Sequence, residues 1–389
     1  MLIKSFKIKN FLSKKKSLIT QKKILKLFQD LTNSDSQILS SMDKSYKDSY
    51  SKKILLDLKN FNNVDLIGMG GSVLGSKAIY NFLDHKKKLF NFIDNFSNFT
   101  LKKNDKKKIH LIISKSGNTL ETISNTNTLV DKKNKNIFIT ENKKSYLMNL
   151  ANKLKAEVIH HNNFIGGRYS VLSEVGMLPA ELMGFEPKKF RRLNQLIKNK
   201  QFLNSLIQNV SDILTLNKKK ISNSIILNYD DRSNDFFNWY QQLVAESLGK
   251  KNNGILPVVS VMPRDNHSLM QYYLDGVKNN FFTLFFVKDK NTKKINNKKI
   301  LKSHYYLKNK NLNDISFSQF CATEKVFKKK KIPFRSFIIH DRNEEVLGEL
   351  FIFFILETIL LGKAMKINPF DQPAVELIKT DTKKFLKNS

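Results

Sequence analysis

Cysteine is almost absent from this chain of 389 residues, with Cys321 as its single representative. One thiol excludes an internal disulfide and any metal site built from several thiolates. A fold without disulfides is typical of a reduced compartment, so we expect a cytoplasmic protein. The sequence also has no HExxH motif and no other paired spacing of metal-ligating side chains, so we predict no metal site.

Long uninterrupted hydrophobic runs are also missing. The most apolar stretch, Leu347–Met365, is broken by Glu349, Glu357 and Lys363, whereas a membrane-spanning helix needs about 20 apolar residues. The first residues, MLIKSFKIKNFLSKKK, lack the apolar core of a signal peptide. We therefore predict that Leu347–Met365 is a buried helix and that the protein is soluble, with no membrane partner.

Arginine is scarce, although the chain is strongly basic. The formal net charge is +34, yet there are seven arginines and almost all of the excess is lysine. The lysines are scattered through surface-type stretches such as Lys328–Lys331, beside abundant Asn, Ile and Phe, a joint bias that A/T-rich codons would give. Because no nucleic-acid module is recognisable, we interpret the charge as a solvated lysine coat and predict no nucleic-acid partner. Such a field still attracts acidic substrates.

Short apolar strands alternate with helical stretches along most of the chain, which is long enough for two domains or two similar halves. The predicted strands are Asn63–Ile67, Leu89–Ile93, Ile109–Ile113, Ile137–Thr140, Glu157–His161, Ser224–Asn228, Gly254–Val261, Phe281–Phe286 and Phe334–Asp341. This alternation predicts an α/β protein with two doubly wound parallel-sheet subdomains, helices on both faces and a helical N-terminal arm. We assign the arm and the first subdomain to residues 1–190, and the second subdomain with its C-terminal helix and loop to residues 191–389.

Two polar loops follow strands of the first half. The first, GMGGSVLGS, nearly fits two phosphate motifs, but Val73 replaces the third glycine of the dinucleotide fingerprint and Gly75-Ser76-Lys77 breaks the P-loop order. The second, SKSGNTLET at Ser114–Thr122, offers hydroxyls, amides and a helix N-terminus to one small anion. A capped helix start explains the same composition. Ligands bind beyond the carboxyl ends of parallel strands, so together the loops predict an anion site.

Three further side chains are candidates for chemistry, and each also has a structural explanation. Arg168, in GGRYS, suits pre-organised anion contacts or a structural ion pair. Glu246, near the end of a predicted helix, suits a general base or a surface carboxylate. His267, in PRDNHSLMQYYLDG, suits proton transfer near neutral pH or a packed core histidine.

Six motifs occur in a fixed order along the chain. They are GMGGSVLGS, SKSGNTLET, GGRYS, QLVAESLGK, RDNHSLMQ with LDG, and NPFDQPAVELIK. From about Asp65 to Lys379 this series resembles the phosphoglucose isomerase family, which has the sugar-isomerase (SIS) fold. The motifs of the first half alone also suit non-catalytic regulators of that fold. Glu246 and His267, in the second half, separate the isomerase from them.

The resemblance implies two groups of substrate-binding residues. The loop residues that would hold the sugar 6-phosphate are Ser114, Lys115, Ser116, Thr119 and Thr122. The residues of the turn beside the sugar would be Gly71 and Ser72.

The resemblance also implies the catalytic residues. Arg168 matches the arginine that stabilises the enediolate, Glu246 the base that moves the proton, and His267 the histidine that opens the ring. Gln372 and Lys379 match a C-terminal pair that contacts the substrate, with Lys379 assisting ring opening.

Three positions depart from the family pattern. Met69 stands where isoleucine is common, and Ala374 and Ile378 stand where glycine is usual. Ala374 and Ile378 lie in the segment that must position Lys379, so the placement of Lys379 depends on the tertiary structure.

The activity that the resemblance implies is the reversible isomerisation of glucose 6-phosphate to fructose 6-phosphate through a cis-enediol(ate), a step of glycolysis and gluconeogenesis. Ring opening, proton transfer and oxyanion stabilisation need no metal or redox cofactor. In this family the histidine comes from the other subunit, so a homodimer with shared active sites is implied. The alternatives are a dual phosphoglucose/phosphomannose isomerase and a non-catalytic sugar-phosphate-binding protein.

Overall fold

The computed structural model describes residues 6–13, 17–84, 87–96, 108–289 and 292–388. The strands in these ranges are β1 (Phe6–Phe11), β2 (Asn63–Gly68), β3 (Leu89–Ile93), β4 (Ile109–Ile113), β5 (Lys135–Thr140), β6 (Glu157–His160), β7 (Asn223–Asn228), β8 (Leu256–Val261), β9 (Asn280–Val287) and β10 (Phe334–Ile339). The α-helices are α1 (Leu18–Thr32), α2 (Gln37–Ser40), α3 (Lys52–Asp57), α4 (Leu74–Phe82), α5 (Leu120–Leu129), α6 (Tyr146–Leu154), α7 (Glu174–Met183), α8 (Pro187–Phe190), α9 (Leu193–Leu196), α10 (Lys200–Lys218), α11 (Asn234–Leu248), α12 (Met270–Asp275), α13 (Leu312–Lys330), α14 (Glu344–Ala364) and α15 (Val375–Asn388). Short 3-10 helices cover Gly70–Ser72, Gly167–Leu172, Asp231–Ser233, Arg264–Asn266, Asn297–Lys299 and Lys302–Leu307.

The first sheet has the strand order β3-β2-β4-β5-β6, and all of its strands are parallel. Its strands are short apolar runs because helices cover both faces, as is usual for parallel sheets. Helix α4 packs on the face formed by Leu66 and Leu111, whereas α6 packs on the opposite face, formed by Ile67 and Ile112. The predicted doubly wound arrangement is confirmed for this half.

The second sheet has the order β1-β10-β9-β7-β8. Strands β7 to β10 are parallel, whereas β1 pairs antiparallel with β10. The α/β class with two parallel-sheet subdomains is therefore confirmed. The predicted helical N-terminal arm begins with a strand, β1, before its helices. The segment FKIKNF is too short and too lysine-rich to stand out as a strand, and it becomes one by hydrogen bonding to β10 at the sheet edge.

The division of the chain at residue 190 stays a prediction. One observation bears on it: β1 belongs by its hydrogen bonds to the sheet of the second half. Helices α1, α2 and α3, which follow β1, account for the helical character that the sequence indicates for the rest of the arm.

Helix α14 is the central element of the hydrophobic core. Its residues 346–362 are all buried, and its apolar side chains share one cluster with α4, α7, α10 and α11. The buried helix predicted for Leu347–Met365 is thus confirmed, with slightly earlier bounds. Across the described residues, no helix has the length and apolarity needed to cross a membrane.

A buried ion pair lies within the second half. The Arg335 guanidinium, on β10, contacts both carboxylate oxygens of Glu357, on α14. Arg335 also donates to Asn209 Oδ1 at 3.2 Å and to Thr283 Oγ1 at 3.0 Å. Both charges are almost completely removed from solvent, so each stabilises the fold only while the other is present.

Replacing Arg335 by methionine should lower the free energy of unfolding by about 3–5 kcal/mol, because the Glu357 carboxylate would stay buried without its partner. Denaturant unfolding followed by circular dichroism measures this change. The double variant Arg335→Met/Glu357→Leu should recover much of the loss. As a control, Lys384→Met removes one partner of the exposed Lys384–Asp381 pair and should cost less than about 1 kcal/mol. Equal losses for both methionine variants would contradict the prediction.

Candidate active site

The glycine turn after β2 is pressed against the segment that carries Arg168. Gly70 has φ +53°, a conformation that favours glycine. A Cβ atom on Gly71 would lie 2.1 Å from the carbonyl carbon of Gly167, so a side chain there cannot be accommodated. Ser72 follows in the same 3-10 helix and is buried. The structure thus places Gly71 directly against the backbone of Gly167 and Arg168, with Ser72 next in the same turn.

The loop after β4 lies next to this turn, because β2 and β4 are neighbouring parallel strands. Ser114 Oγ is 2.9 Å from Thr119 Oγ1, and Ser116 Oγ accepts from the amide of Asn118. Thr119 is the N-cap of α5, although its side chain makes no capping hydrogen bond. Thr122 is buried, and its hydroxyl has no hydrogen-bond partner among the described residues. These hydroxyls and the N-terminus of α5 form a site suited to a small anion.

Lys115 is anchored at the side of this loop. Its Nζ donates to the carbonyl of Asn163 at 2.8 Å and lies 3.6 Å from Glu141 Oε1. The side chain is about one-third exposed. Its cation therefore adds positive charge to the edge of the loop.

Arg168 is a buried cation that holds the C-terminal loop. Its Nε donates to Ser247 Oγ at 2.8 Å, and Nη1 donates to Gln372 Oε1 at 2.9 Å. Both hydrogens of Nη2 go to backbone carbonyls, those of Pro369 at 2.7 Å and Asp371 at 3.1 Å. The guanidinium is thereby fixed in one orientation by residues distant in sequence.

Glu246 faces the same guanidinium from the last turn of α11. Its Oε1 is 3.2 Å from Arg168 Nη1, and its Oε2 accepts from Gln242 Nε2 at 3.0 Å. About 23% of the Glu246 side chain stays exposed. Arg168, Glu246 and Gln372 are therefore brought together, with one carboxylate oxygen on the cation and a path to solvent.

The structure does not bring His267 into this group within one chain. His267 is exposed and follows the short 3-10 helix after β8, whereas the end of α11 that carries Glu246 lies near the start of β8. A strand of six residues, such as β8, spans about 20 Å. His267 is thus neither a packed core histidine nor a neighbour of its own Glu246.

Lys379 also lies outside the group around Arg168 in the part of the chain that the structure describes. It is on α15, and its Nζ donates to Glu376 Oε1 at 2.6 Å. Both side chains are mostly exposed. The local ion pair is the one that the three-residue spacing allows on a helix.

The sequence interpretation gave no role to four side chains that shape this site. Gln242 contacts Glu246 and packs against the backbone of Gly70. Ser247 holds Arg168, and Tyr169 OH is hydrogen-bonded to Ser247 Oγ and to the carbonyl of Pro369. The fourth, Lys250, contacts the C-terminal loop. The four-residue spacing of Gln242 and Glu246 on one helix was an available signal, whereas the other contacts join distant segments.

Burial governs the protonation of Tyr169. Desolvation raises the pKa of its phenol, and the neighbouring Arg168 guanidinium partly offsets this effect. Tyr169 is therefore neutral near pH 7 and acts as a hydrogen-bonding group. Among the described residues, no group of three His, Cys, Asp or Glu side chains is arranged to hold a metal ion.

Known structures share the overall fold. A glucose-6-phosphate isomerase from Chlamydia trachomatis aligns with a TM-score of 0.71 and 18% identity over 98% of this chain and 88% of that chain. A hypothetical protein from Thermus thermophilus aligns with a TM-score of 0.80 and 22% identity over 95% and 94% of the two chains. At sequence identities of 22% and 18%, these alignments show that the fold is shared.

Sequence relatives identify the family. The family model described as phosphoglucose isomerase matches residues 52–262. The chain is 32% identical over 370 residues to the glucose-6-phosphate isomerase of Methanocaldococcus jannaschii, with 88% of each protein covered. It is 29% identical over 363 residues to that of Campylobacter jejuni, covering 87% of this chain and 88% of the relative. The chain belongs to the phosphoglucose isomerase family.

Proposed function

We propose that this protein interconverts glucose 6-phosphate and fructose 6-phosphate by moving a proton between C1 and C2 through a cis-enediol(ate). The family membership and the names of its relatives support this activity. The observation that carries the mechanism is the position of Arg168 Nη1, which lies within 3.2 Å of both Glu246 Oε1 and Gln372 Oε1. A candidate base and a candidate oxyanion donor therefore face one another.

The hydrogen bonds of Arg168 indicate which part of it meets the substrate. Its Nη2 is held by two backbone carbonyls, which cannot leave without moving the chain, and its Nε by the buried Ser247 hydroxyl, which Tyr169 OH also contacts. Nη1 is held by two side chains, Glu246 and Gln372, which can rotate. In the proposed mechanism the guanidinium stays in place, and the hydrogens of Nη1 are donated to the enediolate oxygens instead of to these side chains, where one lost donor costs about 3–4 kcal/mol.

Glu246 is the proposed base. Its carboxylate takes the proton from C2 of the open-chain aldose and returns it to C1, while the hydroxyl proton on O2 moves to O1, so that the C1 aldehyde becomes a hydroxyl and the C2 hydroxyl becomes a ketone. Gln242 holds Oε2, so that Oε1 is left to face the substrate once Arg168 Nη1 donates to the enediolate. The partial exposure of Glu246 fits a group that must meet a ligand.

The 6-phosphate is proposed to bind in the loop after β4. Its ligands would be the side chains of Ser114, Lys115, Ser116, Thr119 and Thr122 with the N-terminus of α5. The unpartnered hydroxyl of Thr122 supports this assignment, because a buried hydroxyl without a partner is costly unless a ligand satisfies it. Binding energy gained there positions C1 and C2 over Glu246.

Ring opening is proposed to require a second subunit in a cytoplasmic homodimer. His267 is exposed and is separated from its own Glu246 by the length of β8. Large apolar side chains, Leu269, Tyr272 and Val277, are exposed close to His267, which is typical of a surface that another chain covers. The partner's copy of His267 would then complete each site, and Lys379 would assist it after α15 moves toward the substrate.

The variant Glu246→Gln should lower kcat by about 10²–10⁴-fold, because the amide keeps the shape of the side chain but cannot accept the carbon-bound proton. A coupled assay of fructose 6-phosphate formation measures the change. Glu186→Gln is the matched control, since Glu186 is an exposed carboxylate with a surface partner, and it should keep full activity. Full activity of Glu246→Gln would contradict the assignment of Glu246 as the base.

Two measurements on the wild-type protein test the alternative functions. Turnover of mannose 6-phosphate in a coupled assay would indicate a dual isomerase. Tight binding of fructose 6-phosphate without turnover would contradict the enzymatic proposal.

The variant Thr122→Val should raise KM about tenfold and leave kcat within about twofold, since a phosphate contact far from C1 and C2 serves binding in ground and transition states alike. The hydroxyl has no partner within the described ranges of the chain, so stability should change little. Thr126→Val, one helical turn later, removes a hydroxyl that bonds the helix backbone and should leave KM unchanged. An unchanged KM in Thr122→Val would argue against the phosphate assignment.

Mixed dimers test whether the active site is shared. His267→Ala and Glu246→Gln should each be nearly inactive alone. Co-assembly in equal amounts should restore about one quarter of the wild-type activity, because half of the dimers are mixed and each mixed dimer has one intact site. If His267 served its own subunit, every site would carry one defect and no activity would return.

A further inference from the structure

The C-terminal segment 368–372 is held by two cations from different parts of the chain. Arg168, from the first half, binds its backbone carbonyls and Gln372. Lys250, which follows α11, places Nζ 2.8 Å from Asp371 Oδ1 and also donates to the carbonyl of Asn368. The second cation has no part in the chemistry proposed above.

Lys250 is rigidly placed. Its backbone is in a tight turn in which the amides of Lys250 and Asn253 each donate to the carbonyl of the other. This turn begins two residues after the last residue of α11, the helix that carries Glu246. The Lys250 side chain is 12% exposed, which is low for lysine, so its ammonium relies on these two partners. Its contact with the C-terminal segment therefore relates that segment directly to the helix of the proposed base.

The segment is also braced from within. Asn368 Nδ2 donates to Asp371 Oδ2 at 2.9 Å, and Lys250 takes the other carboxylate oxygen. The hydrogen bond from Lys250 is the main cause that lowers the pKa of the Asp371 carboxyl. Asp371 is thus charged at neutral pH and is held on both oxygens.

The residues that follow the segment contribute little to its position. Helix α15, which follows the segment, has no buried residue, and its apolar side chains Leu377, Ile378, Phe385 and Leu386 are exposed. The position of Gln372 relative to Glu246 therefore depends on the polar contacts that residues 368–372 make with Arg168, Tyr169 and Lys250. The apolar contacts of Pro369 with Gly362 and of Phe370 with Tyr169 add to them.

We propose that Lys250 is a positioning residue of the active site, whose ammonium fixes residues 368–372 so that Gln372 and the loop carbonyls keep Arg168 in its working orientation. This inference rests on the proposed isomerase function. Lys250 acts through Arg168 and Gln372 and does not touch the substrate. Its loss should therefore affect transition-state stabilisation more than binding by the phosphate loop.

The test compares Lys250→Met, which keeps the aliphatic stem and removes the charge, with Lys250→Arg, which keeps a cation. The matched control is Lys384→Met, because Lys384 pairs with Asp381 on α15 at 2.7 Å but both are largely exposed. Two measurements are made on the full-length protein. The first is hydrogen exchange of the backbone amides in residues 367–373 without substrate, and the second is kcat and KM for glucose 6-phosphate.

In Lys250→Met we expect faster exchange in residues 367–373, a decrease in kcat of about tenfold and a KM within about twofold of wild type. Lys250→Arg should recover most of both effects, and Lys384→Met should show neither. Asp371→Asn should reproduce the kcat decrease, and the double variant Lys250→Met/Asp371→Asn should add little to it.

Unchanged hydrogen exchange of residues 367–373 in Lys250→Met would overturn the inference. Faster exchange with an unchanged kcat would also overturn it, because Lys250 would then hold the segment without affecting catalysis. A decrease in kcat that Lys250→Arg does not recover would also overturn it. Absence of isomerase activity in the wild-type protein would instead contradict the proposed function. The exchange measurement would then decide by itself whether Lys250 holds the segment.

Discussion

The buried guanidinium of Arg168 is the interaction on which the site depends. A cation removed from water costs several kcal/mol unless its hydrogen bonds and charge are satisfied, and here four hydrogen bonds and one ion pair do so. The partners come from α11 and from the C-terminal loop, whereas Arg168 follows the first sheet. The same contacts that make burial of the cation tolerable therefore bring a carboxylate, an amide and two carbonyls to one place.

Close backbone contact makes this arrangement possible. Gly71 has no space for a Cβ beside Gly167, so the turn after β2 and the segment before Arg168 meet at main-chain distance. Gly70 in turn lies against Gln242, which holds Glu246. The glycines of the first half thus determine how near the helix of the second half can come. The packing of the two halves therefore also determines where Glu246 lies relative to the residues of the first half that would bind the substrate.

Much of the fold could be predicted because local pattern and burial agree. The strands β2 to β10 lie close to their predicted bounds, since each is a short apolar run bounded by polar residues. Helix α11 ends two residues after Glu246, as the predicted position of Glu246 near a helix end requires, and α14 is buried as expected. The strand β1 was missed because its pairing with β10 is supplied by residues more than 300 positions away. Helix α13, polar and lysine-rich, received no prediction because its apolar face is narrow.

Residue type and local spacing were sufficient to predict the α/β class, the glycine turn, the hydroxyl-rich loop, and Arg168 and Glu246 as candidates. The family and the candidate Gln372 came from the resemblance of six motifs in a fixed order. Tertiary structure decided which of them meet. It joined Arg168 to Glu246 and Gln372, added Gln242, Ser247, Tyr169 and Lys250, and left His267 and Lys379 exposed and apart from that group. Contacts between segments far apart in the chain follow from how two sheets and a C-terminal loop pack, and no local pattern encodes them.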